Sequence, residues 1–334
     1  RDNYPWAIRA KNFSVQKMKE IENLRERMKR EGRTNLPEIY WYPVDEPFHD
    51  LPEQPQKKYI AKRKKLINIV PQIRQALPGS KIFVTLASNR WYYKWRDGRS
   101  GTAYEPLMDV QCHSQEINSM AMCSWTPQSL ENYLNHHHQI AFMYLNRHRG
   151  EIYDYRIDHG LFLWMLPAIK GNIPWSYQFI AQDPYNDEDS VGGGIGDIMY
   201  AYPDQHSPAR NLPALRLVGV REGIDDLRYL YTLKKAIEQS SNFAKKQEAQ
   251  RFLNRIRATL TAFVGQKPQC QNYTRTLKRT VPLNTLEQWR QQMAQLIIEL
   301  GQPMPSLFPL SITAVSYTHL RAHETRHDLV CRLL

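Results

Sequence analysis

Apolar positions follow two periods along the first half of the chain. Residues 14 to 30 place Met18, Ile21, Leu24 and Met28 on one side among Lys, Arg and Glu, the spacing of an amphipathic helix that Gly32 closes. The next apolar run, Ile39 to Val44, is short, β-rich and bounded by prolines, so it predicts a strand with Asp45 and Glu46 at its C-terminal end. The pattern then repeats. A basic helix spans Lys57 to Ala76, a strand Lys81 to Leu86, and a short strand Leu107 to Gln111. Thr126-Pro127 opens a helix that runs to about His136, the N-cap and first-turn pair that suits a helix start. A strand from Ile140 to Tyr144, a helix through Leu161 to Leu166 and a last strand from Gly171 to Trp175 complete the series.

Strand and helix alternate in about five β/α units, which predicts an α/β fold of the (β/α)8-barrel type. Eight units close a barrel, so the first three are expected upstream of Arg1. Beyond Gly196 the texture changes to long helices with apolar faces, such as Phe252, Ile256, Leu260 and Phe263, then Trp289, Met293, Leu296 and Leu300. Residues 1–240 therefore read as a partial barrel domain and 241–313 as a helical segment that braces it. No internal repeat interrupts this order.

Composition narrows the class. Hydrophobic residues make up 42% of the chain, enough for a sizeable core, and no run of 18 or more apolar residues predicts a membrane span. Cys112, Cys123, Cys270 and Cys331 have no CxxC spacing, so neither a zinc ribbon nor a disulfide scaffold is supported. Eight Trp and 19 Tyr offer flat amphipathic surfaces that suit sugar rings and aromatic cores alike.

The end of the chain stands apart. His323-Glu324-Thr325-Arg326-His327 matches the HExxH zinc pattern. However, Val315-Ser316-Tyr317-Thr318-His319 is what the bases GTC-TCT-TAT-ACA-CAT encode, and the whole segment resembles the translated read-through of a transposon-end sequencing adapter. Residues 314–334 are therefore read as an adapter scar, and no metal is expected there. Without the three arginines and two acids of that tail, the formal charge of +12 becomes about +11.

The candidate chemistry begins with Asp45 and Glu46. Cleaving a glycosidic bond needs a proton donor for the leaving oxygen and a group that stabilises positive charge at the anomeric carbon. Two neighbouring carboxylates at a strand end can divide those tasks, because their mutual repulsion tends to raise the pKa of one. Consecutive extended residues point to opposite faces, but Pro47 marks where the strand breaks and both can reach one pocket. Two solvated acids in a turn are the plainer alternative.

Four segments together resemble one family. Tyr40-Trp41-Tyr42-Pro43-Val44-Asp45-Glu46-Pro47 is similar to the strand-end Asp-Glu of glycoside hydrolase family 123 and its broader relative, domain of unknown function 4091. The run from Leu215 to Leu230 resembles the Arg-x-x-x-x-Arg-Glu-Gly-x-x-Asp-x-x-Tyr helix of the same domains, and Gly171 to Trp175 and Tyr200 to Pro203 resemble elements between them. The resemblance covers residues 36 to 235. It implies a retaining, substrate-assisted hydrolase of β-linked N-acetylhexosaminides, N-acetylgalactosamine-type above all, in a secreted or periplasmic setting. It further implies that Glu46 is general acid and base, and that Asp45 holds the acetamido N–H. A conventional retaining enzyme, whose fourth strand often ends Asn-Glu-Pro, is the nearest rival. The first of those residues is Asp45 here, and the strand ending Tyr144-Leu145-Asn146 supplies no acid before Glu151.

Position at strand ends adds Tyr144 as a hydroxyl donor to the acetamido group and Trp175 as a stacking platform, with ordinary core packing as the alternative for both. Asn89, Gln111 and His113 are candidates to bond sugar hydroxyls. Arg221, Glu222 and Asp225 read as a helix-anchoring ion-pair network at i,i+4 spacing. Lys62-Arg63-Lys64-Lys65 reads as a solvated helix face, and His136-His137-His138 as a helix C-terminus rather than a metal site. Gly192-Gly193-Gly194-Ile195-Gly196 lacks the Lys-Ser/Thr of a phosphate loop. Trp91-Tyr92-Tyr93-Lys94-Trp95-Arg96 interleaves aromatics and bases like a single-strand platform, but a sugar-cleft loop is preferred. The expected partner is a carbohydrate, with no nucleic acid and no cofactor; a non-catalytic glycan-binding barrel is the main rival.

Overall fold

A computed structural model describes residues 6–9, 14–34, 36, 38–48, 56–86, 104–114, 127–145, 151–174, 178–179, 198–204, 207–264 and 273–305. Six parallel strands form one sheet in sequential order: β1 (Trp6–Arg9), β2 (Ile39–Tyr42), β3 (Lys81–Leu86), β4 (Val110–Ser114), β5 (Ile140–Leu145) and β6 (Ile169–Pro174). Four of the predicted strands lie within two residues of their expected starts, and β1 is an addition to them. The fold is mixed α/β, and the strand order contains no reversal.

Helices α1 (Val15–Arg30), α2 (Lys57–Ala76), α3 (Pro127–His136), α4 (Ile152–His159) and α5 (Leu161–Met165) fall between successive strands. The Ser14 hydroxyl caps α1 by accepting the Lys17 amide at 3.3 Å, and Gly32 ends it at φ +84°. Met18 is buried as the periodicity predicts, whereas Leu24 stays 45% exposed. In α2 the residues Leu66, Val70 and Ile73 are fully buried, each contributing roughly 1.5–3 kcal/mol.

Alternation along the strands divides the sheet into two faces. Ile39, Trp41, Ile82, Val84, Leu86, Ala141 and Met143 join the side chains of α1, α2 and α3 in one large cluster. Tyr40, Tyr42, Phe83, Val110 and Cys112 form a separate cluster on the other face, with Ile140 and Phe142 against it. Burial pushes the Cys112 thiol well above its ordinary range, so it packs as a small apolar group.

One strand starts later than its apolar run predicts. Glu105–Leu107 is a single 3-10 turn, and Asp109 then fixes the entrance to β4. Its carboxylate accepts the Ile82 amide at 2.7 Å and pairs with Arg74 at 3.1 Å. The strand therefore begins at Val110, which moves Gln111 from a strand end to near a strand start.

Two short antiparallel pairs follow, β7 (Gln178–Phe179) with β8 (Ile198–Met199), and β9 (Ala201–Asp204) with β10 (Ser207–Pro213). Four helices come next, α6 (Leu215–Gln239), α7 (Phe243–Thr261), α8 (Tyr273–Thr280) and α9 (Leu283–Glu299). The apolar faces predicted for α7 and α9 are buried at Phe252, Ile256, Leu260, Met293, Leu296 and Leu300, and they share the cluster that covers the sheet.

Glycines set the distance between α4 and α6. A Cβ on Gly223 would lie 2.4 Å from the Arg156 carbonyl oxygen, and one on Gly219 2.6 Å from that of Ile152. Neither position can hold a side chain without backbone movement. The close approach brings Arg156 of α4 onto Asp226 of α6 at 2.6 Å, both nearly sealed from solvent. Arg290 of α9 reaches Asp226 at 2.6 Å and Glu222 at 2.6 Å, and Arg156 also meets Glu287.

This is the ion-pair network expected of the Arg-Glu-Gly helix, with different wiring. Asp226 rather than Asp225 is the hub, and its pairs and that of Glu222 with Arg290 cross between helices, whereas Arg221 pairs with the adjacent Glu222 and Asp225 with Arg228 at 3.2 Å within α6. Burial raises the pKa of Glu222, but Arg290 and Arg221 outweigh that effect and hold its carboxyl below the usual range. Burial likewise opposes the charge on Arg156 and Arg290, and Asp226 overcomes it in both, so each is held protonated more firmly than a free arginine.

Gly223→Ala should lower stability by about 1–3 kcal/mol or more in urea unfolding, whereas Lys235→Ala on the exposed side of the same helix should stay within about 0.5 kcal/mol. Glu222 contributes stability that is present above its unfolded value of 4.5 and lost as pH falls through the lower folded value. Glu222→Gln should therefore flatten the decline of melting temperature on the acid side of that value.

Candidate functional site

In a parallel sheet all strand C-termini meet at one edge. Here that edge carries Asp45 and Glu46 after β2, Thr85 near the end of β3, His113 and Ser114 in β4, Tyr144 in β5 and Pro174 in β6. Register confirms the alignment from β3 onward: Leu86 pairs with His113, Ser114 with Tyr144, and Tyr144 with Ile173.

β2 ends at Tyr42, and the chain bends through Val44 and Asp45. Glu46 then adopts φ +45°, the left-handed conformation that a side chain with a Cβ rarely takes. Its cost is on the order of 1 kcal/mol, met by surrounding contacts. The turn also removes the constraint that consecutive extended residues face opposite ways.

Three hydrogen bonds hold this turn. The Tyr42 hydroxyl donates to Asp45 Oδ1. The Tyr42 oxygen lies 2.5 Å from Thr85 Oγ1, and the Glu46 amide donates to the same Thr85 oxygen at 2.9 Å. Tyr42 has one proton, which goes to Asp45, so Thr85 is the donor to Tyr42. The Tyr42 ring is itself fixed by an edge-on contact with Phe83, 5.2 Å between centroids.

The exit of the turn is fixed from the other side of the sheet. Arg63 of α2 is 5% exposed and donates to the Pro47 carbonyl at 3.1 Å. Phe48 is completely buried and meets Tyr104 edge-on at 5.1 Å. Arg63 thus departs from the solvated basic face expected of its run, whereas Lys64 and Lys65 are exposed. Both acids remain half-buried between these anchors.

Gln111 is not brought to the acids. It is completely buried, shares register with Val84 and Ala141 on the helix-covered face, and donates to Gln139 Oε1; Gln139 in turn donates to the Met108 carbonyl at 2.9 Å. His113 and Tyr144 stand at the same sheet edge as the acids by backbone position. Asn89 and Trp175 lie outside the described residues, as do the glycine loop at 192–196, the aromatic-basic run at 91–96 and the HExxH tail. Helix α3 ends at His136, with His138 left-handed just beyond at φ +53°. Among the described residues no group of three or more His, Cys, Asp or Glu is placed to hold a metal.

Tyr42, Thr85 and Arg63 escaped the sequence reading. Alternation marks Tyr40 and Tyr42 as one face, and it marks Thr85 as the polar member of a face shared with Phe83, but neither signal points to Asp45. Arg63 is hidden inside a basic run. Among the described residues no helix is long and apolar enough to cross a membrane. Searches of family models, of curated proteins and of solved structures found no match to this chain.

Arg63→Met should destabilise the protein by about 1–3 kcal/mol in urea unfolding, because the Pro47 carbonyl loses a charged donor. Lys64→Met, one residue away and exposed, should change it by less than about 0.5 kcal/mol.

Proposed function

We propose that the chain is a glycoside hydrolase, retaining and substrate-assisted, acting on β-linked N-acetylhexosaminides with Asp45 and Glu46 as its catalytic pair. The observation that carries this reading is the left-handed turn that holds two adjacent carboxylates at the C-terminal edge of a sequential parallel sheet. Strain of that kind in a non-glycine residue collects where a function demands it. The motif resemblance supplies the reaction class. The six strands are read as an arc of a (β/α)8 barrel, supported by an unreversed order, helices on one face and a packed apolar cluster on the other.

In the first step Glu46 protonates the glycosidic oxygen as the bond from that oxygen to the anomeric carbon breaks. The acetamido carbonyl oxygen of the substrate bonds to the anomeric carbon, which gives an oxazolinium-like ring. Asp45 accepts the acetamido N–H and stabilises the positive charge that develops there. In the second step Glu46, now a carboxylate, takes a proton from water while the water oxygen attacks the anomeric carbon and opens the ring. Two displacements at one carbon retain its configuration. Tyr144 and Trp175 are proposed to line the sugar site with His113 and Asn89, and the net positive charge favours acidic or sulfated glycans.

A panel of nitrophenyl β-N-acetylgalactosaminide, β-N-acetylglucosaminide and plain β-galactoside tests the reading. Hydrolysis should be confined to the acetamido sugars; cleavage of the plain galactoside alone rules out substrate assistance, and binding without hydrolysis of any favours a glycan-binding barrel. On an alkyl-linked substrate Glu46→Gln should lower kcat by about 10²–10⁴-fold. The loss should be smaller with nitrophenolate, which leaves without full protonation.

A further inference from the structure

We propose that Thr85, on a different strand from the acids, is a positioning residue that sets Asp45 and Glu46 as one unit through Tyr42. The inference rests on the catalytic pair proposed above and assigns it a support that the motif does not contain.

The proton order admits one arrangement. Tyr42 donates its hydroxyl hydrogen to Asp45 Oδ1, so its oxygen can only accept from Thr85 across their 2.5 Å separation. Thr85 Oγ1 gives its hydrogen to Tyr42 and accepts the Glu46 amide at 2.9 Å. The bonds run in one direction, from the Glu46 amide through Thr85 and Tyr42 to the Asp45 carboxylate. The Asp45 backbone joins the two ends covalently. The result is a closed ring of three hydrogen bonds in which each donor is polarised by the next acceptor.

Such a ring couples two quantities that matter for the proposed chemistry. One is the left-handed backbone of Glu46, from which the proton-transferring carboxyl hangs. The other is the orientation of the Asp45 carboxylate, which must meet an acetamido N–H. A valine at position 85 keeps the shape of the side chain but neither donates nor accepts. It leaves the Glu46 amide and the Tyr42 oxygen without this partner at the same time. A serine keeps both bonds. Tyr42→Phe separates the two effects, since it removes the donor to Asp45 and leaves the bond from Glu46 to Thr85 in place.

Steady-state kinetics on a β-N-acetylhexosaminide, binding of a thiazoline analogue of the oxazolinium ring, and hydrogen exchange of the Glu46 amide test the proposal in the full chain. Thr85→Val should lower kcat by about 10–100-fold with KM changed less than about threefold, because misplacement acts on the reacting geometry more than on binding of the ground state. It should weaken the thiazoline in step with kcat/KM and speed exchange at Glu46. Thr85→Ser should restore all three readouts. Tyr42→Phe should reproduce the loss in kcat and thiazoline binding but leave Glu46 protected. Unchanged kcat in Thr85→Val, or faster Glu46 exchange without loss of kcat, overturns the positioning role while the proposed hydrolase stands. A wild-type chain that neither hydrolyses acetamido sugars nor binds the thiazoline overturns both. If Thr85→Val does not fold, Tyr42→Phe decides: wild-type kcat in that variant overturns the proposal.

Discussion

Parallel pairing dictates where the side chains of sequence-distant strands can meet. Every strand must be entered from the same end, so each connection crosses back along the sheet and every strand C-terminus arrives at one edge. The helices that make the return journey cover one face, where Trp41, Val84 and Met143 meet α1, α2 and α3. The uncrossed face is left to Tyr42, Phe83, Val110 and Cys112. Side chains at the common edge can therefore be supplied by sequence-distant strands, as Thr85 is supplied to the turn at Glu46, 39 residues away.

Two different devices keep that edge in place. Near the acids the device is local and polar: Thr85 and Tyr42 hold the entrance of the turn, and Arg63 and Phe48 hold its exit. At the far side of the sheet it is long-range and ionic. α4, which leads through α5 into β6, is held to α6 by a glycine contact and by Arg156 on Asp226, where Arg290 of α9 also converges, and to α9 by Arg156 on Glu287. A buried ion network adds little net stability, because desolvation offsets most of the attraction, yet it strongly penalises any arrangement that leaves one charge unpaired. It thus fixes which helix faces which.

The elements were legible wherever a period was sustained. Helices α1 and α2 and strands β2, β3 and β5 carry enough regular apolar positions to declare themselves. β1 is four residues long and ends in Arg9, too short a run to display alternation. The apolar run starts β4 at Leu107, three residues early, because Leu107 belongs to a 3-10 turn and Asp109 starts the strand by bonding a neighbour 27 residues away. The same limit applies to the candidate site. Asp45 and Glu46 stand out as paired acids after a strand, and the family resemblance implies roles for them. What supports them did not stand out, since Thr85 looks like any β-branched strand residue and Arg63 like any member of a basic run. Spacing suggests a local i,i+4 network on the Arg-Glu-Gly helix, but its partners Arg156 and Arg290 lie 70 and 64 residues from Asp226. Spacing along one helix carries no information about such distances.

In the proposed mechanism the substrate's acetamido oxygen, steered by Asp45 and aided by Glu46, attacks the anomeric carbon. A series of otherwise identical aryl glycosides with zero to three fluorines on the acetamido methyl tests it most directly, because fluorine drains electron density from that oxygen while leaving the leaving group unchanged. Under that mechanism kcat/KM falls steeply and monotonically along the series. A flat series would contradict it and would assign the attack to the enzyme or to water.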